Sequence, residues 1–167
     1  MNARRFGRLD ARAPGLADDA FLEALYLDAR PDLGALPVPR SVIEGIARYQ
    51  RRMQVEDYAR RYPACETWLV FEVDDPVARV VLDRATSALR VVDLAVKATA
   101  RRRGIARTVL YALQEEGIEI ALRVRADNAA ARALYARLGF ALQRDDTVTL
   151  ELCWSPATKP DQKALFA

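Results

Sequence analysis

The sequence predicts a mixed α/β fold: a mostly antiparallel central sheet with helices on both faces. Three observations carry this. Residues 67–96 contain three β-branched-rich runs separated by short turns. Residues 104–138 read as helix, strand, helix, and a strand reached through a helical crossover pairs parallel to the strand before it. Two helical stretches precede the first strong strand. The chain has 167 residues, which fits one domain with one core spanning 1–167.

Taken in order, residues 4–12 read as a weak short strand. Asp18 opens a helical stretch with Phe21, Leu22, Leu25 and Tyr26 at helical spacing, and Pro31 stops it. Residues 31–39 read as a loop. Ser41 is placed to cap a long helix reaching Arg61, with Glu44 in the capping-box position. Its apolar stripe would be Val42, Ile46, Tyr49 and Met53, with Tyr58 and Tyr62 beyond, opposite Arg48, Arg51 and Arg52. Pro63 ends it.

Residues 67–73, 78–82 and 89–96 form an antiparallel meander, turned first at Asp74-Asp75-Pro76 and then at residues 85–88. A helix from Gly104 to about Glu116 buries Val109, Leu110 and Leu113 and stops at Gly117. The short link that follows implies trimming of that helix. Residues 118–124 are a strand. Asp127 or Asn128 caps a last helix carrying Ala131, Leu134, Tyr135 and Leu138 on one face, ended by Gly139. Residues 140–143 and 147–154 close the sheet, and 155–167 read as a tail.

Composition excludes several chemistries. Histidine is absent, so no Ser-His or Cys-His pair and no HExxH zinc site exists. Cys65 and Cys153 fit no zinc spacing and read as buried thiols. No metal site is expected. No Walker loop or Gly-x-Gly-x-x-Gly occurs, and no apolar run is long enough for a membrane span. The basic start has no apolar stretch behind it, so no secretory leader is expected and the cytoplasm is the default. Net charge is +3, with arginine scattered over several elements, which is weak for a nucleic-acid binder.

The informative stretch is residues 92–140. A strand runs into Arg101-Arg102-Arg103-Gly104-Ile105-Ala106-Arg107 and then a helix. The unpaired N–H groups of a first helical turn, together with the helix dipole, favour an anion. A basic helix start with a glycine for packing, or a helix meeting nucleic-acid phosphates, would read the same. A second segment follows the next strand: Asn128-Ala-Ala-Ala131-Arg-Ala-Leu-Tyr135-Ala-Arg-Leu-Gly139-Phe140.

Together the two segments resemble the GNAT superfamily of acyl-CoA-dependent N-acyltransferases. Arg101, Gly104 and Ala106 match its Gln/Arg-x-x-Gly-x-Gly/Ala signature. Asn128, Ala131, Tyr135, Gly139 and Phe140 match Asn-x-x-Ala-x-x-x-Tyr-x-x-x-Gly-Phe. The resemblance covers residues 65–154 well and 1–64 by element order. It implies a splay between two parallel central strands and acetyl-CoA, or a short acyl-CoA, as co-substrate. Arg102, Arg103, Gly104, Ile105, Ala106 and Arg107 would cradle the pyrophosphate. Leu94, Ala95 and Val96 would offer backbone to the pantetheine arm. Asn128 and Ala131 would face that arm, and Arg132 and Arg137 would reach the phosphates. Tyr135 would protonate the leaving thiolate.

Many relatives carry a glutamate near the position of Val92. Asp93 is the neighbouring candidate base, on the opposite face if the strand is regular; Glu72 and Asp83 are others. The acceptor, an amine not specified by sequence, would lie under the helices of residues 17–61, walled by Tyr26, Tyr49, Tyr58 and residues 33–39. The alternative class is a non-catalytic CoA-binding or arginine-rich nucleic-acid module. A homodimer is left open.

Overall fold

A computed structural model describes residues 3–156. The strands are β1 (Ala3–Phe6), β2 (Leu9–Arg12), β3 (Cys65–Glu72), β4 (Asp75–Asp83), β5 (Leu89–Val96), β6 (Ile120–Arg125), β7 (Ala141–Asp145) and β8 (Thr149–Trp154). The helices are α1 (Asp19–Asp28), α2 (Pro31–Gly34), α3 (Arg40–Arg61), α4 (Ile105–Gln114) and α5 (Ala129–Arg137). One sheet runs in the order β1-β2-β3-β4-β5-β6-β8-β7, antiparallel except for the pair β5–β6. The crossover through α4 imposes that parallel pair, as the alternating periodicity predicts. The tail reading for residues 157–167 lies outside the described residues.

The two faces of the sheet differ. Val80, Leu82, Leu89, Val91, Ile120, Leu122 and Trp154 point to one side and pack against Val109, Leu110 and Leu113 of α4 and Tyr135 and Leu138 of α5. Burying these aliphatic groups, at about 25 cal/mol per Å² of apolar area, supplies the main driving force. The buried Gln114 side chain donates to Leu138 O at 2.9 Å and locks α4 to α5. The opposite face carries Arg79, Val81, Asp83 and Arg90, and α1 and α3 lie over its β4–β5 half.

Three local readings are corrected. The weak N-terminal strand is a hairpin, β1–β2, turned at Gly7 with φ +56°. Residues 31–39 include the short helix α2. Ser41 does not cap α3: the helix begins at Arg40 after Pro39, and Glu44 accepts from Arg40 at 2.8 Å instead.

The inward side of α3 is also rotated from the apolar stripe. Ala47 is buried and Gln50, Arg51, Gln54 and Tyr58 are half-buried, whereas Val42, Tyr49 and Met53 are exposed. Polar partners on the facing elements turn the helix this way. Arg51 pairs with Asp19 at 2.7 Å, Arg48 with Glu23 at 2.9 Å, and Tyr26 donates to Gln50 at 3.1 Å. Cys65 and Cys153 are half-buried rather than buried.

The carboxylate of Asp18, at the entrance to α1, accepts Arg12 at 2.7 and 2.8 Å and the Gly15 N–H at 2.6 Å. Arg12 and that N–H hold its carboxyl down at about 2. A depressed folded-state pKa stabilises above the ordinary value and is lost as pH falls through the folded one. Asp18→Asn therefore lowers the melting temperature at neutral pH. Thermal melts should show that deficit narrowing once pH drops below the ordinary carboxyl value of 3.8; a pH-independent deficit would contradict the assignment.

Candidate active site

β5 and β6 pair over only three positions, Leu89↔Ile120, Arg90↔Ala121 and Val91↔Leu122. Beyond Val91 the strands part. A cleft of about 170 Å³ opens between Val92, Asp93 and Leu94 on one wall and Arg123, Val124 and Arg125 on the other. Asn128, Ala131 and Tyr135 of α5 complete it. The expected splay is therefore present, and both candidate catalytic residues, Asp93 and Tyr135, line it.

Asp93 reaches its position through a bulge. Leu82 pairs with Val91 but Val81 pairs with Asp93, so Val92 is the extra residue. Past the bulge the alternation reverses. Asp93 points to the same face as Arg79 and Val81, the face a regular strand would have given to Val92. The expectation that Asp93 faces the wrong way is thus overturned.

A buried arginine that the sequence reading missed holds this carboxylate. Arg79 of β4 is only 6% exposed. It donates to Asp93 Oδ2 through Nη2 at 2.5 Å and Nε at 3.2 Å, and to Gln54 Oε1 of α3 at 3.1 Å. Asp93 Oδ1 has no hydrogen-bond partner among the described residues. The signal was available: Val77-Ala78-Arg79-Val80-Val81-Leu82 puts one charge inside an apolar central strand, where an arginine is rarely buried unpaired.

Two phenols flank Asp93. Tyr58 comes from α3, and its pKa is raised by burial and by the charge of Asp93. Tyr135 comes from α5 and is 9% exposed; burial, then the charge of Asp93, push its pKa up to about 12. The Tyr135 ring meets Phe140 edge-on at 5.6 Å. Tyr135 therefore stays a phenol throughout the neutral range. It is a proton donor and not a base.

At the far end of β5 the chain turns through Arg102 at φ +62° and Gly104 at φ +81° into α4. Glycine is required at 104 by this left-handed backbone, not by crowding: an added Cβ would meet only the Arg107 guanidinium at 3.9 Å. The first-turn N–H groups of α4 face outward without intrahelical partners. Arg102 and Arg107 are exposed and make no ion pair among the described residues.

The other arginines are differently used. Arg101 turns back, donating to Val96 O at 3.2 Å and Asp28 O at 2.8 Å, and so ties the loop to α1. Arg103 binds Glu72, which also holds Arg8 at 2.5 Å. Arg132 donates to Ala126 O at 2.9 Å, and Arg137 is exposed. Asn128 lines the cleft while its Oδ1 caps α5 from the Ala131 N–H at 3.1 Å. Leu94 lines the cleft, and Leu94 and Val96 pack on the core. Glu72 and Asp83 lie outside the cleft lining.

A parted parallel pair, with free strand edges leading to a left-handed turn at a helix start, suits a long co-substrate carrying amides and phosphates. The comparisons agree. The sequence profile of the Acetyltransferase (GNAT) family matches residues 22–140, and the chain belongs to that family. Among solved structures, PaiA N-acetyltransferase from Thermoplasma acidophilum in complex with coenzyme A superposes with a TM-score of 0.64 at 15% identity, covering 88% of this chain and 98% of that one. Ribosomal-protein-S18-alanine N-acetyltransferase from Escherichia coli gives 0.60 at 18% identity, covering 92% and 97%. Mycobacterium smegmatis RimJ in complex with CoA-disulfide gives 0.62 at 15%, covering 98% and 90%. No curated protein matches the sequence. The fold is that of an acyl-CoA-dependent N-acetyltransferase, and acetyl-CoA is its co-substrate.

Gly104→Glu tests the phosphate turn. A side chain at φ +81° is strained, and a carboxylate there repels pyrophosphate. Calorimetric titration should show acetyl-CoA binding lost while circular dichroism stays native; a folded variant with native affinity would refute the turn as the phosphate site.

Proposed function

We propose that the chain moves an acetyl group from acetyl-CoA to a primary amine by direct attack in the splay, with Asp93 and Tyr135 as the catalytic pair. The single observation that carries this is the common cleft: a free carboxylate oxygen and a buried neutral phenol on the two sides of one opening. The thioester would lie between them, with its phosphates at residues 102–107 and its pantetheine arm along Leu94–Val96. The amine enters from the side of α1 and α3.

The arriving ammonium gives one proton through Asp93 Oδ1 to solvent. The neutral nitrogen then attacks the thioester carbonyl carbon. As the carbon–sulfur bond breaks, the thiolate takes the Tyr135 proton. The nitrogen's surplus proton restores the phenol by way of solvent. The products are the amide, free CoA thiol and one proton.

Paired arginines weigh against the nucleic-acid reading. Arg48, Arg51, Arg84 and Arg103 are each engaged with a carboxylate. No helix among the described residues is long and apolar enough to cross a membrane. The cytoplasm, where acetyl-CoA is available, is the setting this reading assigns.

Tyr135→Phe keeps the ring and its contact with Phe140. It should leave stability and acetyl-CoA affinity near native and lower kcat by ~10²-fold, since general acids typically supply ~10²–10⁴. Steady-state thiol release on both proteins decides it, and full kcat in the variant would make Tyr135 a core aromatic. Asp93→Asn should lower kcat/KM by a similar factor; an unchanged value would show that the amine arrives neutral and needs no base.

A further inference from the structure

The acceptor side of the cleft carries charges that the acetyl transfer leaves unused. α1 and α3 cover the β4–β5 half of their sheet face. No described helix is packed over the β6–β8–β7 half, and β7 is exposed along its whole length among the described residues. On this open face, beside the cleft, stand Arg90 of β5, Arg123 of β6 and Glu151 of β8. Glu151 is shared: both guanidinium groups lie 3.5 Å from it, a long contact for an ion pair. Arg90 also sits 6.0 Å from the centre of the Tyr62 ring. Arg123 makes no further hydrogen bond or ion pair among the described residues, lies within the electrostatic reach of Asp146, is half exposed, and lines the cleft with Asp93.

The remaining charges around the opening are matched. Arg79 holds Asp93, and Arg125 holds Asp127 at 2.6 Å. Tyr58 and Tyr135 are neutral phenols. The acceptor side therefore mixes both signs: Asp83 shares this face with Arg90, and Glu119 lines the groove beyond Glu151. Its free hydrogen-bonding groups are an anionic oxygen, Asp93 Oδ1, on one wall and a weakly engaged cation, Arg123, on the other. Paired strands lie ~4.8 Å apart, and β5 and β6 separate further here. One small molecule can bridge the two walls.

We propose that the acceptor is a small amino acid: a primary amine carrying a carboxylate, with its ammonium at Asp93 Oδ1 and its carboxylate at Arg123, supported by Arg90. This rests on the acyl-transfer reading above. Beyond Glu151 the open face continues as a groove of about 270 Å³ over Ala121, Ala141 and Cys153, which gives space to the amino acid's side chain. The Cys153 thiol is pushed up to about 11 by burial and by Glu119, so it stays protonated and does not compete as a nucleophile. Acetylation removes the ammonium charge, so the product loses its hold on Asp93 and leaves.

The test compares matched acceptors of the full-length protein with acetyl-CoA, reading thiol release. Leucine, phenylalanine and alanine are each set against their amide and their decarboxylated amine, with spermidine alongside. The amides present more neutral amine at neutral pH, so intrinsic reactivity runs against the expected preference. At least one amino acid should exceed its amide by about tenfold in kcat/KM, the worth of one charge-assisted contact. Arg123→Gln should remove that preference, with the loss falling on the KM for the amino acid.

Equal or better rates with amides, amines or spermidine overturn the proposal. So does an Arg123→Gln protein that keeps the preference, or a protein that acetylates no member of the panel. Calorimetry separates the two readings. Acetyl-CoA binding with transfer only to uncarboxylated amines leaves the acyltransferase standing and removes the amino-acid acceptor; no acetyl-CoA binding removes both.

Discussion

Backbone amides left unpaired inside a sheet cost about 1–3 kcal/mol each when buried without a partner. From Val92 and Arg123 onward β5 and β6 no longer pair with each other, and their facing edges open onto the cleft instead of a strand partner. The rest of the site depends on this parting. Three register pairs fix the two strands together at Leu89–Val91, so they separate at a defined point. α5 starts just after β6 and lies over the opening, which brings Tyr135 to it. β5 meanwhile runs on toward the turn at Gly104, so one strand joins the cleft to that turn. In the proposed reading a pantetheine arm would supply the amide partners that the missing strand pairing leaves open.

The acid-base arrangement depends on a second constraint, the charge balance at Arg79 and Asp93. The guanidinium of Arg79 is buried and needs a partner: removing the carboxylate would leave an uncompensated buried charge, worth about 3–5 kcal/mol. Together they are satisfied, and Gln54 takes a further guanidinium hydrogen. The bulge at Val92 makes the pair possible, because only the reversed alternation puts Asp93 opposite Val81 on the face of Arg79. Since Arg79 binds Oδ2 alone, the other oxygen is left toward the cleft. Burial first, and the charge of this carboxylate second, raise the pKa of both flanking phenols, so Tyr135 keeps its proton throughout the neutral range.

Much of this architecture was legible in the sequence, and the exceptions share a cause. The meander, the crossover, Gly104 and the Asn128 cap follow from periodicity and local turn chemistry, which act over a few residues. Residues 89–96 were read with both ends as observed. The orientation of α3 was not legible, because Val42, Tyr49 and Met53 have the right spacing for a core. It is the ion pairs of Arg48 and Arg51 with α1 that turn that stripe outward, and a tertiary partner has no local signature. The bulge failed in the same way. Period-two alternation predicts the face of Asp93 only if the register is unbroken, and the break at Val81/Leu82 belongs to a pair of strands rather than to either one.

The arginine content gains its meaning from the same pairings. Read as a list, so many guanidinium groups suggest a polyanion such as nucleic acid. In the fold they mostly tie elements together: Arg84 to Glu116, Arg12 to Asp18, Arg103 and Arg8 to Glu72. A few of the arginines left free or weakly held stand at the site. Arg102 and Arg107 flank the helix start at one end of β5, and Arg123 stands at the splay on the other strand. A continuous basic surface would bind phosphate backbones with a steep salt dependence. Separate cationic points, divided by a carboxylate and two neutral phenols, instead discriminate along the length of one site. In the proposed reading anionic groups would be drawn to its ends, and the uncharged thioester would lie in the cleft that Asp93 and Tyr135 line.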